Sequence, residues 1–126
     1  MSKIYFWSMA SHGFGLSGGD RIYIEFAKRW SKDYPVTIVT WEEGIAMLAR
    51  NYLKEGSNIS FLRLSVPKAI HANFFICYLY RILISVFTSL TLHIDNSEGT
   101  YFYSSSEFWM DSLPCFVLKL RYPSLK

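Results

Sequence analysis

Cysteine is scarce in this chain: Cys77 and Cys115 are the only two among 126 residues, far apart, with no Cys-x-x-Cys pair and no histidine at ligand spacing. A disulfide framework and a structural metal site are therefore excluded as organising features. Excess charge is lacking as well. The formal net charge is +3, and Lys28, Arg29 and Lys32 form the only tight basic group, on a helix face suited to water. That disfavours a nucleic-acid surface. No pair of carboxylates stands out for acid and base work. The apolar stretch after Met1-Ser2-Lys3 is too short for a secretory leader, because it soon runs into His12 and glycines. We read it as a first strand, and the chain as cytoplasmic. In that setting the sequon Asn58-Ile59-Ser60 is a chance match.

What is present suffices for a core. Hydrophobic residues make up 51% of the chain, and the length fits one domain spanning residues 1–126. Lys3 to Ser8 is strand-like; from Asp20, the spacing of Ile22, Phe26, Ala27 and Trp30 predicts one apolar helical face, ended by Asp33 and Pro35. The β-branched run Val36-Thr37-Ile38-Val39-Thr40 predicts a strand buried on both faces. A helical pattern follows from Glu42 to Leu53, ended by Gly56, and a third strand over residues 59–64, closed by Pro67. Tyr101-Phe102-Tyr103 predicts a fourth strand, and a helical pattern runs from Glu107 to Leu120, with Pro114 either kinking it or starting a second helix.

Strands alternating with helices in this way predict right-handed βαβ units and a Rossmann-like, doubly wound α/β fold with a mainly parallel sheet. Ligands bind such sheets at the carboxyl ends of the strands, near the switch point. Three segments converge there: the glycine-rich loop ending in Ser17-Gly18-Gly19-Asp20-Arg21, the turn Trp41 to Gly44, and Ser104 to Glu107. The first is a phosphate seat in kind, because a helix N-terminus offers free N–H groups and glycine lets an anion approach them.

Residues 69–92 are nearly long enough to cross a bilayer, yet Arg81 sits at their middle. Favourable transfer of roughly 4 to 7 kcal/mol is set against about 2.5 to 3.5 for a central arginine and more for the other polar groups, leaving a balance near zero. On a helix, Cys77, Arg81, Ser85 and Thr88 form a narrow polar stripe. Three placements stay open: packed on the sheet, lying on a membrane with Phe74, Phe75, Tyr78 and Tyr80 in lipid, or spanning it.

Gly13-Phe14-Gly15-Leu16-Ser17-Gly18 matches G-x-G-x-x-G, with Glu42 or Glu43 as the acidic partner, so a dinucleotide-binding oxidoreductase of the NAD or FAD type is one reading. Met9 to His12 intervene between strand and glycines, which that fingerprint does not expect. The second reading rests on the Gly18-Gly19 helix start, the following Arg21, Pro35-Val36-Thr37-Ile38-Val39-Thr40, and Tyr103-Ser104-Ser105-Ser106-Glu107-Phe108-Trp109-Met110-Asp111. Together these resemble the N-terminal half of family 4 (group 1) glycosyltransferases of the GT-B fold, over essentially the whole chain.

The resemblance implies a retaining enzyme that moves a sugar from a nucleotide-sugar, its co-substrate, to a lipid-linked or glycan acceptor near the cytoplasmic membrane, with no other cofactor. It implies that Gly18, Gly19 and Arg21 face the donor diphosphate, while Trp41, Ser104, Ser105, Ser106 and Glu107 line the acceptor side. His12, Ser106 and Glu107 are the candidate catalytic groups; His93 precedes the fourth strand and does not match the histidine that some members carry near that strand's end. Members have a second, donor-binding Rossmann-like domain, not encoded within these residues, so the chain alone is expected to bind weakly and transfer nothing. A third reading is a non-catalytic membrane- or partner-binding module from a truncated transferase, held by apolar surface.

Overall fold

The computed structural model describes residues 3–10, 18–56, 58–94 and 99–126. Its elements in chain order are β1 (Lys3–Trp7), α1 (Gly18–Trp30), β2 (Val36–Thr40), α2 (Glu42–Arg50), β3 (Ile59–Arg63), a 3-10 turn (Lys68–Ile70), α3 (Phe74–Thr91), β4 (Thr100–Ser104) and α4 (Trp109–Arg121). The four strands form one sheet in the order β3-β2-β1-β4, with every pair parallel. The chain steps outward from β1 to β3, then crosses back to place β4 on the other side of β1. This is a Rossmann-like α/β domain, and its switch point lies between β1 and β4.

Alternation along the strands supplies two cores. Ile4, Phe6, Val36 and Ile38 face α1 and α2, where they bury Tyr23, Ile24, Ala27, Met47 and Leu48. Trp7 and Val39 face the opposite way, towards Cys77 of α3 and Met110 and Leu118 of α4. Burial of β1 and β2 on both faces is what their apolar runs require.

Several expectations shift in detail. On α1 the buried face is Tyr23, Ile24 and Ala27, while Ile22 is 50% exposed and Phe26 and Trp30 are 36% exposed. The inward face is rotated because Phe26 and Trp30 serve its margin: they stack on each other at 5.1 Å, Trp30 stacks on Phe6 at 5.8 Å, and Phe26 meets Tyr103 edge-on at 6.0 Å. Helix α2 ends before Gly56, since Tyr52 takes a left-handed turn at φ 63° and Leu53 N–H reaches back to the Leu48 carbonyl at 2.9 Å. Pro114 lies inside a continuous α4 and does not start a second helix.

The contact between β2 and α2 leaves no room for a side chain at Gly44. A Cβ there would lie 1.9 Å from Thr40 Oγ1, which itself donates to the Ser8 carbonyl at 2.9 Å. Gly44→Ala is expected to cost about 1–3 kcal/mol, as overpacking does, read as a lower urea midpoint. Adding Thr40→Ala should remove the clash, so the double variant should be no less stable than Gly44→Ala alone; strictly additive losses would show that the approach is not close.

Candidate functional site

The crevice at the switch point is built from the ends of β1 and β4 and the first turns of α4. Ser105 N–H donates to the Trp7 carbonyl at 3.0 Å, continuing the β1–β4 pairing past the strand ends. Beyond it the chain turns, and the turn is held by Asp111, which is fully buried. Its Oδ1 accepts the Met9 N–H at 2.5 Å. Its Oδ2 accepts the Ala10 N–H at 3.4 Å, Ser105 Oγ at 3.2 Å and Ser106 Oγ at 2.6 Å. One carboxylate thus joins two loops a hundred residues apart in sequence. Burial pushes the Asp111 carboxyl up to about 7, against the four donors, which favour its ionised form.

Arg81 approaches the same point from α3. It is 2% exposed, and its Nη1 donates to the Met9 carbonyl at 2.9 Å. The two backbone groups of Met9 are therefore gripped by opposite charges, Asp111 at the N–H and Arg81 at the carbonyl. The guanidinium also lies over the Trp41 ring, 4.6 Å from its centroid, and its Nε has no hydrogen-bond partner among the described residues. Burial draws Arg81 below its ordinary value, while Cys77, Glu43 and Asp111 act the other way. Beside it is a cavity of about 190 Å3 lined by Ala10, Phe74, Tyr78, Arg81, Phe108 and Met110.

The serines expected to line an acceptor cleft are instead committed to the turn. Ser104 Oγ donates to the Ser106 carbonyl at 2.6 Å, and Ser106 Oγ donates to Asp111 and accepts the Phe108 N–H at 3.3 Å. The Ser106 hydroxyl is therefore engaged in holding the turn. Glu107 is exposed at the rim. Trp41 is a correction: it is fully buried, because its ring, directly after β2, turns into the core beneath Arg81 and against His71 at 5.3 Å. It offers a ligand no surface.

Gly18 and Gly19 open α1, and the topology places that N-terminus at the carboxyl edge of the sheet. Asp20 follows in the first turn, where a carboxylate suits the positive helix end. Arg21 lines an open groove of about 440 Å3 with Ile24, Glu25, Lys28, Asn51 and Tyr52. His12 and the glycines at 13 and 15 lie outside the described residues. Of the acidic residues suited to a dinucleotide ribose, Glu42 is already engaged: its carboxylate accepts the Val66 N–H at 3.1 Å and meets Arg63 at 3.4 Å.

Among the described residues no cluster of His, Cys, Asp or Glu could hold a metal ion. Cys77 and Cys115 are both free thiols, and burial pushes Cys115 up to about 12, which keeps it protonated and inert.

The sequence motif spans both the serine turn and Asp111 but gives that carboxylate no role. The signal for Asp111 was the interval from Ser106 to Asp111, which lets one carboxylate receive both serine hydroxyls. The signal for Arg81 was a lone cation in an otherwise uncharged 18-residue helix. In comparisons with protein-family models, with curated proteins and with solved structures, nothing matches this chain.

Proposed function

We propose that this chain is the acceptor-side half of a retaining glycosyltransferase, which moves a sugar from a nucleotide-sugar donor to a lipid-linked or glycan acceptor. Turnover requires a second, donor-binding α/β unit, supplied by a longer form of the protein or by a separate subunit. One observation supports the reading above the others: at the switch point, the glycine-led N-terminus of α1 shares the carboxyl edge of the sheet with a serine turn locked by Asp111. Fixed N–H donors at Gly18 and Gly19 suit the diphosphate that departs from the sugar, since they need no reorganisation as charge develops on it. Asp111 is enclosed by its donors and acts by positioning. Glu107, exposed at the rim, and His12 are the groups left to meet an acceptor hydroxyl. For the dinucleotide alternative, whose acidic partner is Glu42 or Glu43, the Glu42 carboxylate is already engaged by Val66 and Arg63.

Titrating the full chain with uridine diphosphate, followed by the backbone amide signals, tests the reading. Weak binding is expected, with Kd about 1 mM, equivalent to about 4 kcal/mol, and the shifts should centre on residues 18–21. Shifts confined to other residues, or tighter binding of NAD at the same amides, would overturn it.

A further inference from the structure

Helix α3 is built the wrong way round for a helix that meets water. Its buried residues are Cys77, Arg81, Ser85 and Ser89, a polar stripe at strict four-residue spacing. Its outer face carries Phe75 at 76% exposure, Leu83 at 69% and Phe87 at 65%, with Leu79 and Leu90 both above half. Helix α4, the main neighbour of α3, extends this apolar surface with Phe116 and Leu120. So many exposed apolar side chains on two neighbouring helices exceed the scattered exposed residues normal for a protein in water. Helix α3 is long and apolar enough to cross a membrane, yet its buried Arg81 is tied to Met9 at the sheet end, which holds the helix against the domain.

Two observations identify what covers this face. The first is charge: the two helices of this layer carry Arg81, Lys119 and Arg121 against the one carboxylate of Asp111, which is buried. The second is continuity. The apolar face runs at its Phe74 end into the 190 Å3 cavity, whose mouth is formed by the exposed rings of Phe74 and Phe108 and which is lined by the buried, partly unpartnered Arg81. A greasy rim around a buried cation fits an amphiphile with an anionic head.

We propose that the α3–α4 layer docks on an anionic lipid bilayer, with Leu79, Leu83 and Phe87 at the acyl boundary and a headgroup phosphate in the Arg81 cavity. The interaction goes beyond sugar transfer and does not require it, since the test contains neither nucleotide nor sugar. The full chain is mixed with phosphatidylcholine vesicles, with and without phosphatidylglycerol, and sedimented. Binding should be about ten-fold tighter when phosphatidylglycerol is present. Leu83→Glu combined with Phe87→Glu should weaken binding to both vesicles by about ten-fold or more; both side chains are exposed, so the fold is retained. Arg81→Met should remove only the preference for phosphatidylglycerol.

The unmodified chain supplies an independent readout. Trp109 is 64% exposed, whereas Trp7 and Trp41 are buried and Trp30, 36% exposed, packs on Phe6 on the opposite side of the sheet, so brominated lipid should quench a fluorescence component that Trp109→Phe abolishes. Four results would overturn the proposal: no sedimentation with either vesicle, binding indifferent to the double glutamate variant, retention through alkaline carbonate, which marks a span, or a vesicle-free dimer that the double variant dissolves. A rise in thermal stability with inorganic phosphate but no sedimentation would assign the cavity to a soluble anion and likewise overturn docking.

Discussion

Asp111→Ala is expected to destabilise the domain by about 3–5 kcal/mol, measured as a large fall in the urea midpoint. The carboxylate receives the Met9 and Ala10 N–H groups and the Ser105 and Ser106 hydroxyls. Removing it leaves donors from two distant loops without an acceptor in a buried place, and opens a cavity besides. Asp111→Asn is far milder, because an amide oxygen can still accept from the backbone and the serine hydroxyls can rotate to accept from its NH2. The pair separates the shape of the side chain from its charge.

The charge has its own signature. The Asp111 carboxyl is raised to about 7 in the fold and lies near 3.9 in an unfolded chain. Between those values the folded state holds a proton that the unfolded state has released, so stability falls as pH rises. The contribution is complete below pH about 4 and gone above about 7, and at roughly 1.4 kcal/mol per pH unit it amounts to at most about 4 kcal/mol. Comparing urea midpoints from pH 4 to 8 should show a slope that Asp111→Asn removes. Equal slopes in the two proteins would mean that the buried carboxyl does not titrate in this range.

The sequence was most legible where periodicity alone carries the information. Val36 to Thr40 could be placed in a two-sided interior strand because β-branched residues without polar alternation have nowhere else to go, and the parallel sheet followed from the spacing of helices between strands. Periodicity identifies which residues share a face of a helix but not which face turns inward. For α3, the stripe of Cys77, Arg81 and Ser85 was readable, ending at Ser89 rather than Thr88, yet its inward orientation depends on an acceptor at Met9 that only folding brings near. Trp41 illustrates the same limit: its position after β2 was clear, but its burial depends on a core drawn from distant segments, with a guanidinium from a different helix over its ring. The interval from Ser106 to Asp111 is local, but the grip of Asp111 on Met9 is a relation across more than a hundred residues, which no local pattern records.

Arg81 is the second point on which the crevice depends, and its replacement separates stability from binding. Arg81→Ala should cost about 3–4 kcal/mol, combining a charge-assisted hydrogen bond to the Met9 carbonyl, a desolvated cation–π contact with Trp41 and the void left by the side-chain stem. Arg81→Met keeps the stem and removes the charge. Exchanging a buried charge for an apolar group of similar volume is often close to neutral, so the loss should shrink to about 1 kcal/mol, set mainly by the unpaired Met9 carbonyl. Chemical denaturation of the two variants beside the parent chain measures the difference. If Arg81→Ala lies within 1 kcal/mol of the parent, the guanidinium is not holding Met9. If the methionine variant is nearly as stable as the parent but loses its preference for anionic vesicles, the charge is not required by the fold, and its place beneath the cavity between Phe74 and Phe108 is explained by what the cavity binds.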